Sequence, residues 1–143
     1  MERHLDLINL ENVIIKIEKS LSYCHSKKIQ SDPELLLELK ASAIQAFEVA
    51  YEVSWKMLKR FLMMTEADPK EIELISFSDL IRLSCSRGLL KSELRVWKKF
   101  RESRCVTSHT YNQEKAEQVF KEIPLFLKEI KFLLKELRKR VKK

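Results

Sequence analysis

Residues 36–58, LLELKASAIQAFEVAYEVSWKML, decide the fold class of this chain. Apolar residues recur there at steps of three and four, the spacing that places side chains on one face of an α-helix. The first stripe consists of Leu36, Leu39, Ala43, Ala46, Ala50, Val53 and Met57, and a second stripe of Phe47, Tyr51, Trp55 and Leu58 lies beside it. A face this wide indicates burial against more than one neighbour. Because Asp32-Pro33-Glu34 supplies an N-cap and a first-turn proline, we predict one long helix from there to about Met64.

Shorter helices are predicted on both sides of this segment. The apolar residues before it that repeat at helical spacing are Leu7, Leu10, Ile14, Ile17 and Leu21. After it, Ser76 or Ser78 caps a short helix that ends near Gly88. Ser92-Glu93 starts another helix, whose apolar contacts are Leu94, Trp97 and Phe100. A polar stretch with weak helical pattern, residues 103–112, follows that helix.

The last segment carries a heptad-like apolar stripe and is predicted to be helical. Its members are Ala116, Val119, Ile123, Leu127, Ile130, Leu134, Leu137 and Val141. Pro124 lies inside this segment and should kink the helix or split it near Ile123. No strand pattern occurs, and 143 residues suit one domain. The sequence therefore predicts an all-α fold, with residues 1–143 in one antiparallel up-and-down bundle of four to five helices.

Composition and charge narrow the class of protein. No apolar run reaches the roughly 18 residues of a membrane span, and the N-terminus lacks the apolar core of a secretory signal. Cys24, Cys85 and Cys105 are widely spaced, which predicts free thiols in a reducing cytosol. We therefore expect a cytoplasmic protein with no membrane partner, no metal and no cofactor. Most of the net charge of +7 lies in residues 128–143, which form either a solvated basic helix end or a surface that attracts nucleic acid.

The segment Arg104-Cys-Val-Thr-Ser-His109-Thr-Tyr111 is the part of the chain with catalytic potential. An arginine offers a fork of donors to a phosphate, and a histidine can take and return a proton near neutral pH. Together they suit metal-independent cleavage of RNA, whose 2′-hydroxyl supplies an internal nucleophile. An arginine and a histidine five residues apart also occur by chance, so an ordinary surface pair is the competing interpretation. Nearby Lys98, Lys99 and Arg101, with Thr107 and Ser108, are the candidate phosphate-binding or RNA-binding residues.

The wider sequence resembles a known family. Residues 47–59, FEVAYEVSWKMLK, look like the signature helix of the nucleotidyltransferase substrate-binding family, a branch of the HEPN domains. Phe77, Leu80-Ile81, Arg87-Gly88-Leu89 and Trp97 follow in the family's order, and residues 104–111 are similar to its Arg-X4-His-X-Tyr motif. The resemblance extends over roughly residues 5 to 137.

The resemblance implies a dimeric helical bundle in which two Arg–His pairs meet in one cleft. In the toxin members of the family, that cleft cuts RNA without a metal, and a cognate minimal nucleotidyltransferase acts as antitoxin by transferring AMP to the tyrosine of the motif. Carried onto this chain, Arg104 would stabilise the phosphate, His109 would be the acid and base, and Tyr111 would be the modified residue. An AMP group on Tyr111 would compete with RNA phosphate by charge and by bulk.

Other functions remain open from the sequence. Cys105 stands where the family commonly has a polar residue, which favours a non-catalytic nucleotide-binding or substrate-binding subunit of a two-component nucleotidyltransferase as the alternative. A purely architectural bundle or a DNA-binding regulator has only the basic C-terminal segment in its favour. Glu48 and Glu52 lie one helical turn apart, and we expect Glu52 to form an ordinary surface pair with Lys56, or either acid to be used at a subunit contact.

Overall fold

The computed structural model describes residues 5–107 and 113–141, and these residues form seven α-helices. The helices are α1 (Ile8–His25), α2 (Lys27–Gln30), α3 (Pro33–Thr65), α4 (Pro69–Glu73), α5 (Phe77–Ser86), α6 (Leu94–Thr107) and α7 (Gln113–Val141). Five of them have ten residues or more, and the described part of the chain contains no strand. The predicted all-α bundle of four to five helices is therefore confirmed. The weakly helical polar stretch that begins at residue 103 is helical as far as Thr107, where α6 ends.

The long helix α3 lies at the centre of the bundle. It packs against α1, α5, α6 and α7, which explains why two of its faces are apolar. An aromatic cluster joins it to α6 and α7: the ring centroids of Phe47 and Phe126 are 4.9 Å apart, and those of Phe100 and Phe126 are 5.2 Å apart. Trp97 stacks edge-on against Phe100 at 5.2 Å. These edge-to-face contacts fix α3, α6 and α7 relative to one another.

The ends of the helices are fixed by the residues that the sequence indicates. The Asp32 carboxylate accepts a hydrogen bond from the Leu35 amide, and Ser76 Oγ accepts one from the Asp79 amide, each at 3.2 Å. Ser76, rather than Ser78, is thus the cap of α5. Gly88 follows α5 with φ +76°, and its amide donates to the Cys85 carbonyl at 3.0 Å. The left-handed backbone that ends α5 is therefore made by the one glycine of the chain.

Helix α7 runs without a break through Pro124. Of the two outcomes that the proline allowed, a split near Ile123 is therefore wrong. Pro124 is exposed, so its ring occupies the solvent side of the helix. The buried face of α7 is also wider than the predicted stripe, because Phe126 and Leu133 are fully buried as well.

A buried carboxylate attaches the start of α6 to α7. Glu129 is only 2% exposed, and its Oε1 accepts hydrogen bonds from the Ser92 amide at 3.0 Å and from Trp97 Nε1 at 3.2 Å. The Ser92 hydroxyl donates to Oε2 at 2.8 Å. Further along α6, the Ser103 hydroxyl donates to Glu122 of α7. Helix α6 is thus held at both ends, which fixes the side chains on its remaining faces.

Candidate functional site

Arg104 lies near the end of α6 and faces two carboxylates of α3. Its Nη1 is 3.4 Å from Glu48 Oε2, and its Nε is 3.5 Å from Glu52 Oε1. The arginine side chain retains 29% exposure, so it is oriented without being removed from solvent. The expected Glu52–Lys56 surface pair is wrong, because Glu52 contacts Arg104 and also accepts a hydrogen bond from Trp55 Nε1 at 3.1 Å. Two acids one turn apart on a helix therefore hold an arginine from another helix.

A cleft opens on one side of Arg104, between α3, α5 and α6. Its volume is about 470 Å³, and we call it the aromatic cleft. Its lining consists of Tyr51, Glu52, Trp55 and Lys59 from α3, Ile75, Phe77 and Leu80 around the start of α5, and Arg101, Arg104 and Cys105 from α6. Aromatic and apolar side chains thus lie beside three cations.

The side chains of the aromatic cleft are partly fixed by contacts with one another. The guanidinium carbon of Arg101 lies 4.8 Å from the centroid of the Phe77 ring, a cation–π contact. Tyr51 is buried, and this burial raises the pKa of its hydroxyl to about 12, although the nearby Arg101 acts in the opposite direction. The phenol is therefore neutral at physiological pH. The cleft combines a neutral aromatic wall with three cations and one carboxylate, Glu52, which pairs with Arg104.

A second depression, which we call the α3 groove, lies on the other side of Arg104. Its volume is about 610 Å³, and its lining consists of Gln45, Glu48, Val49, Glu52, Val53, Lys56 and Arg104. Val49 is 56% exposed and is one of two aliphatic side chains in this lining, the other being Val53. Arg104 and Glu52 border both the aromatic cleft and the α3 groove.

The predicted site residues fall into four groups. The structure brings Arg101 and Arg104 together in the aromatic cleft. Lys98 and Lys99 are exposed on α6 and do not line the cleft. Thr107 is the last residue of α6. Ser108, His109 and Tyr111 lie outside the described residues.

The sequence did not identify several residues that surround the two arginines. They are Tyr51, Trp55, Lys59 and Phe77, and all of them line the aromatic cleft. The apolar pattern predicts burial for Tyr51 and Trp55, because an aromatic stripe on a helix usually packs, and it says nothing about Lys59. The available signal was the combination of that stripe with Glu48 and Glu52, which supply the negative partners that an arginine near the core requires.

The basic C-terminal segment is packed onto the rest of the bundle by its own charges. Arg138 pairs with Glu11 of α1 at 2.9 Å, and Lys131 pairs with Glu18 of the same helix. Arg140 Nη1 donates to the Arg87 carbonyl at 2.7 Å, beside the turn that ends α5. These contacts favour the interpretation of a solvated helix end over that of a dedicated nucleic-acid surface.

The described residues also bear on metal and membrane binding. Within residues 5–107 and 113–141, no group of three or more His, Cys, Asp or Glu side chains could hold a metal ion. Over the same residues, no helix has the length and apolar character that crossing a bilayer requires. Cys24, Cys85 and Cys105 are free thiols, as expected from their spacing.

Three comparisons identify relatives of this chain. The model of a family described as nucleotidyltransferase substrate binding protein like matches residues 5–139. A curated protein of Haemophilus influenzae, "Probable ribonuclease HepT", is 37% identical over 132 residues, which are 92% of this chain and 86% of that protein. A solved structure from the same organism, described as revealing the fold of a substrate binding domain of a nucleotidyltransferase, has a TM-score of 0.87 and 35% identity. It covers 93% of this chain and 99% of its own. A crystal structure from Thermus thermophilus has a TM-score of 0.69 at 26% identity, covering 90% and 98% of the two chains.

Proposed function

This chain belongs to the nucleotidyltransferase substrate binding protein like family, and on that premise we propose that it is a ribonuclease toxin whose antitoxin is a minimal nucleotidyltransferase. The proposed reaction is metal-independent endonucleolytic cleavage of RNA in the cytoplasm. The similarity to a protein named as a ribonuclease supports this activity, and the family's description supports a nucleotidyltransferase partner.

The observation that carries the proposal is the environment of Arg104. Its guanidinium contacts Glu48 and Glu52 and borders two open depressions, so it is both oriented and accessible. A guanidinium has five N–H donors in a fixed plane, and acceptors on some of them set the direction of the others. An arginine held in this way suits the stabilisation of charge on a phosphate in a transition state.

The proposed chemistry assigns the proton transfers to His109. One imidazole removes the proton of the ribose 2′-hydroxyl while that oxygen attacks the adjacent phosphorus. The bond from phosphorus to the 5′-oxygen of the next nucleotide breaks, and an imidazolium returns a proton to that oxygen. The products are a 2′,3′-cyclic phosphate and a 5′-hydroxyl. Arg104 stabilises the additional negative charge on the phosphorane-like state, and Arg101 supports the binding of neighbouring phosphate.

We propose that two copies of the chain associate through the α3 groove. The exposure of Val49 supports this association. This aliphatic side chain lies in an open depression beside Arg104, and burial under a second copy would remove it from water. A second copy on this face would bring two Arg104 side chains close to each other. The site would then consist of residues from both subunits, with one histidine available as base and the other as acid.

We propose that transfer of AMP from ATP to the Tyr111 hydroxyl silences the enzyme. The hydroxyl oxygen attacks the α-phosphorus, pyrophosphate leaves, and the tyrosine gains an anionic ester with a large purine. That group competes for Arg104 and Arg101 by charge and by bulk. Tyr51 is unsuited to the same role, because its hydroxyl belongs to a buried side chain.

The test is RNA cleavage in EDTA by purified wild-type protein and by the His109→Ala variant, with and without the nucleotidyltransferase and Mg-ATP. The expected result is cleavage by the wild type that falls by at least about a hundredfold in the variant. The transferase should add AMP mass to wild-type protein and to Tyr23→Phe, the matched exposed tyrosine, but not to Tyr111→Phe. A folded wild-type dimer that leaves RNA intact would contradict the proposal.

A second candidate function is a non-catalytic nucleotide-binding or substrate-binding subunit of a two-component nucleotidyltransferase. It is favoured by Cys105, an exposed thiol next to the motif arginine, since a thiol orients a phosphate or an imidazole poorly. The description of the Haemophilus influenzae structure as a substrate binding domain also supports it. This function predicts a stable complex with the transferase and nucleotide binding by calorimetry in the absence of any RNA cleavage.

A further inference from the structure

The aromatic cleft has walls of two chemical kinds. Ile75, Leu80 and the rings of Trp55 and Phe77 form the apolar part, whereas Lys59 and Arg101 supply positive charge. A purely structural cavity beside a helical core would be apolar, and a simple anion site would need no aromatic rings. The combination suits a ligand that has a flat aromatic part and an attached anion.

The rings and the guanidinium of the aromatic cleft are held in place before any ligand binds. The Trp55 indole is fixed by its hydrogen bond to Glu52 at 3.1 Å, and the Arg101 guanidinium is stacked 4.8 Å from the centre of the Phe77 ring. Nucleobases stack on aromatic rings and on arginine planes alike. Preformed surfaces bind with a smaller loss of side-chain entropy.

We propose that the aromatic cleft is a nucleotide-binding subsite, in which the base stacks between Trp55 and the Arg101–Phe77 pair and a phosphate contacts Lys59 or Arg101. The cavity of about 470 Å³ lies within the range of roughly 300–1,000 Å³ that small-molecule sites occupy. Because Arg104 borders this cleft, the bound nucleotide is a direct neighbour of the phosphate at Arg104. This last step rests on the proposed ribonuclease function, and it makes the cleft the subsite beside the cleaved bond.

The subsite should tolerate different bases. Stacking provides the main attraction, and every base has an aromatic face. The shared ligand chemistry could come from an RNA strand or from a free nucleotide such as the one that a nucleotidyltransferase uses. The experiment therefore uses probes of both kinds, and none of them can be cleaved.

The first experiment titrates the full-length protein with AMP, with ribose 5-phosphate and with a 2′-O-methyl oligoribonucleotide that lacks the 2′-hydroxyl nucleophile. Tryptophan fluorescence is the direct readout, since the chain has two tryptophans and Trp97 is fully buried, so that a stacked base quenches Trp55. We expect quenching by AMP or the oligonucleotide and at least tenfold weaker binding of ribose 5-phosphate. Quenching by AMP alone identifies a free nucleotide as the ligand, and quenching by the oligonucleotide alone identifies RNA. Measurable binding of AMP that is no tighter than that of ribose 5-phosphate, or no quenching by either nucleotide probe, overturns the proposal.

A pair of variants tests the residues themselves by fluorescence anisotropy with the labelled oligonucleotide. Phe77→Leu should weaken binding about tenfold, because it removes the ring that supports Arg101. Phe132→Leu is the matched control, since it removes a similar cation–π contact, 5.6 Å from Lys91, outside the cleft. Equal losses in the two variants, with circular dichroism showing both folded, would contradict the assignment.

The cleavage assay separates this inference from the proposed function. If the protein cleaves RNA but shows no base-dependent binding, the nucleotide subsite is contradicted and the proposed ribonuclease function stands. If the protein shows base-dependent binding but no cleavage, the nucleotide subsite stands and the substrate-binding function is favoured.

Discussion

Arg104 and Glu48 form an ion pair that joins α6 to α3 across 56 positions of sequence, with Nη1 and Oε2 3.4 Å apart. Glu48 has 20% of its side chain exposed and borders the α3 groove rather than the aromatic cleft. Its carboxylate therefore acts on the arginine from the side opposite to the cleft. This relationship makes Glu48 a positioning residue for Arg104, distinct from any group that touches RNA.

The first prediction concerns this positioning role. Glu48→Gln should lower kcat for RNA cleavage about fivefold to tenfold with little change in KM, because the guanidinium loses its orientation in the transition state. Arg104→Ala should lower kcat by about 10² to 10³, as for the loss of one donor to a developing oxyanion. Glu11→Gln is the control, since it removes another interhelical arginine pair far along α1. Equal kcat values for the Glu48 and Glu11 variants would contradict the positioning role.

The second prediction concerns the α3 groove as the dimer interface. Val49→Asp should weaken self-association at least tenfold, because a carboxylate would lose its hydration at the contact, where Glu48 and Glu52 already lie. Sedimentation velocity over a micromolar concentration series measures the change. Leu74→Asp is the control, since Leu74 is 87% exposed at the end of α4, outside the groove. A Val49→Asp protein that sediments like the wild type excludes this face.

The third prediction concerns the buried carboxylate of Glu129. Glu129→Gln should lower the free energy of unfolding by about 2 kcal/mol, because hydrogen bonds from Ser92 and Trp97 to a charged acceptor are replaced by weaker or mismatched ones. Urea denaturation monitored by circular dichroism provides the measurement. Glu93→Gln, a nearby exposed carboxylate, should change stability by less than about 0.5 kcal/mol. Matching midpoints for the two variants would show that Glu129 is not a structural link.

The fourth prediction concerns pH and the Glu66–Arg87 pair. Hydrogen bonds from the Arg87 guanidinium, 2.7 and 2.9 Å long, hold the pKa of the Glu66 carboxyl below its ordinary value of 4.5. A lowered pKa in the folded state means that the ionised carboxylate stabilises the fold above about pH 4.5. This stabilisation is lost as the pH falls through the lowered pKa. Glu66→Gln should therefore be less stable than the wild type at pH 7, and this deficit should be smaller at pH 3.

Urea midpoints at the two pH values check the fourth prediction. Glu73→Gln, at the exposed end of α4, serves as the comparison and should follow the wild type at both. If the Glu66 variant is less stable than the wild type by the same amount at both pH values, the loss of stability comes from the changed side-chain shape and not from the lost charge.

Most of the fold followed from local patterns in the sequence. Asp32, Ser76 and Gly88 fix helix ends through bonds to residues within a few positions, so their roles are visible in short windows of sequence. Pro124 was less informative. A proline removes one backbone donor, but the packing of Phe126 and Leu133 on the buried side keeps α7 in one piece.

The candidate site was predictable only in part. Arg104 follows from the motif that the sequence resembles, and Arg101 follows from the basic residues just before that motif; the structure brings both to one cleft. The sequence did not identify Trp55 and Phe77 as site residues, because Phe77 lies 22 positions after Trp55 and 24 before Arg101. Only the packing of three helices brings the three residues to one cleft. Helical periodicity tells which face is apolar, but it does not tell which part of an apolar face stays uncovered.

The ion pairs of the last turns of α7 bear on how the proposed binding of RNA should respond to salt. Four cations of this segment, Arg138, Arg140, Lys131 and Lys139, already pair with carboxylates of this chain, so we expect them to release few counterions when a strand binds. A strand held by Lys59, Arg101 and Arg104 would release about two cations per cleft, since single strands release about 0.7 for each phosphate contact. A strand bound along the eight cations of the basic C-terminal segment would release more than about five counterions by the same rule. A plot of log affinity against log salt concentration should therefore have a shallow slope, despite the formal charge of +7.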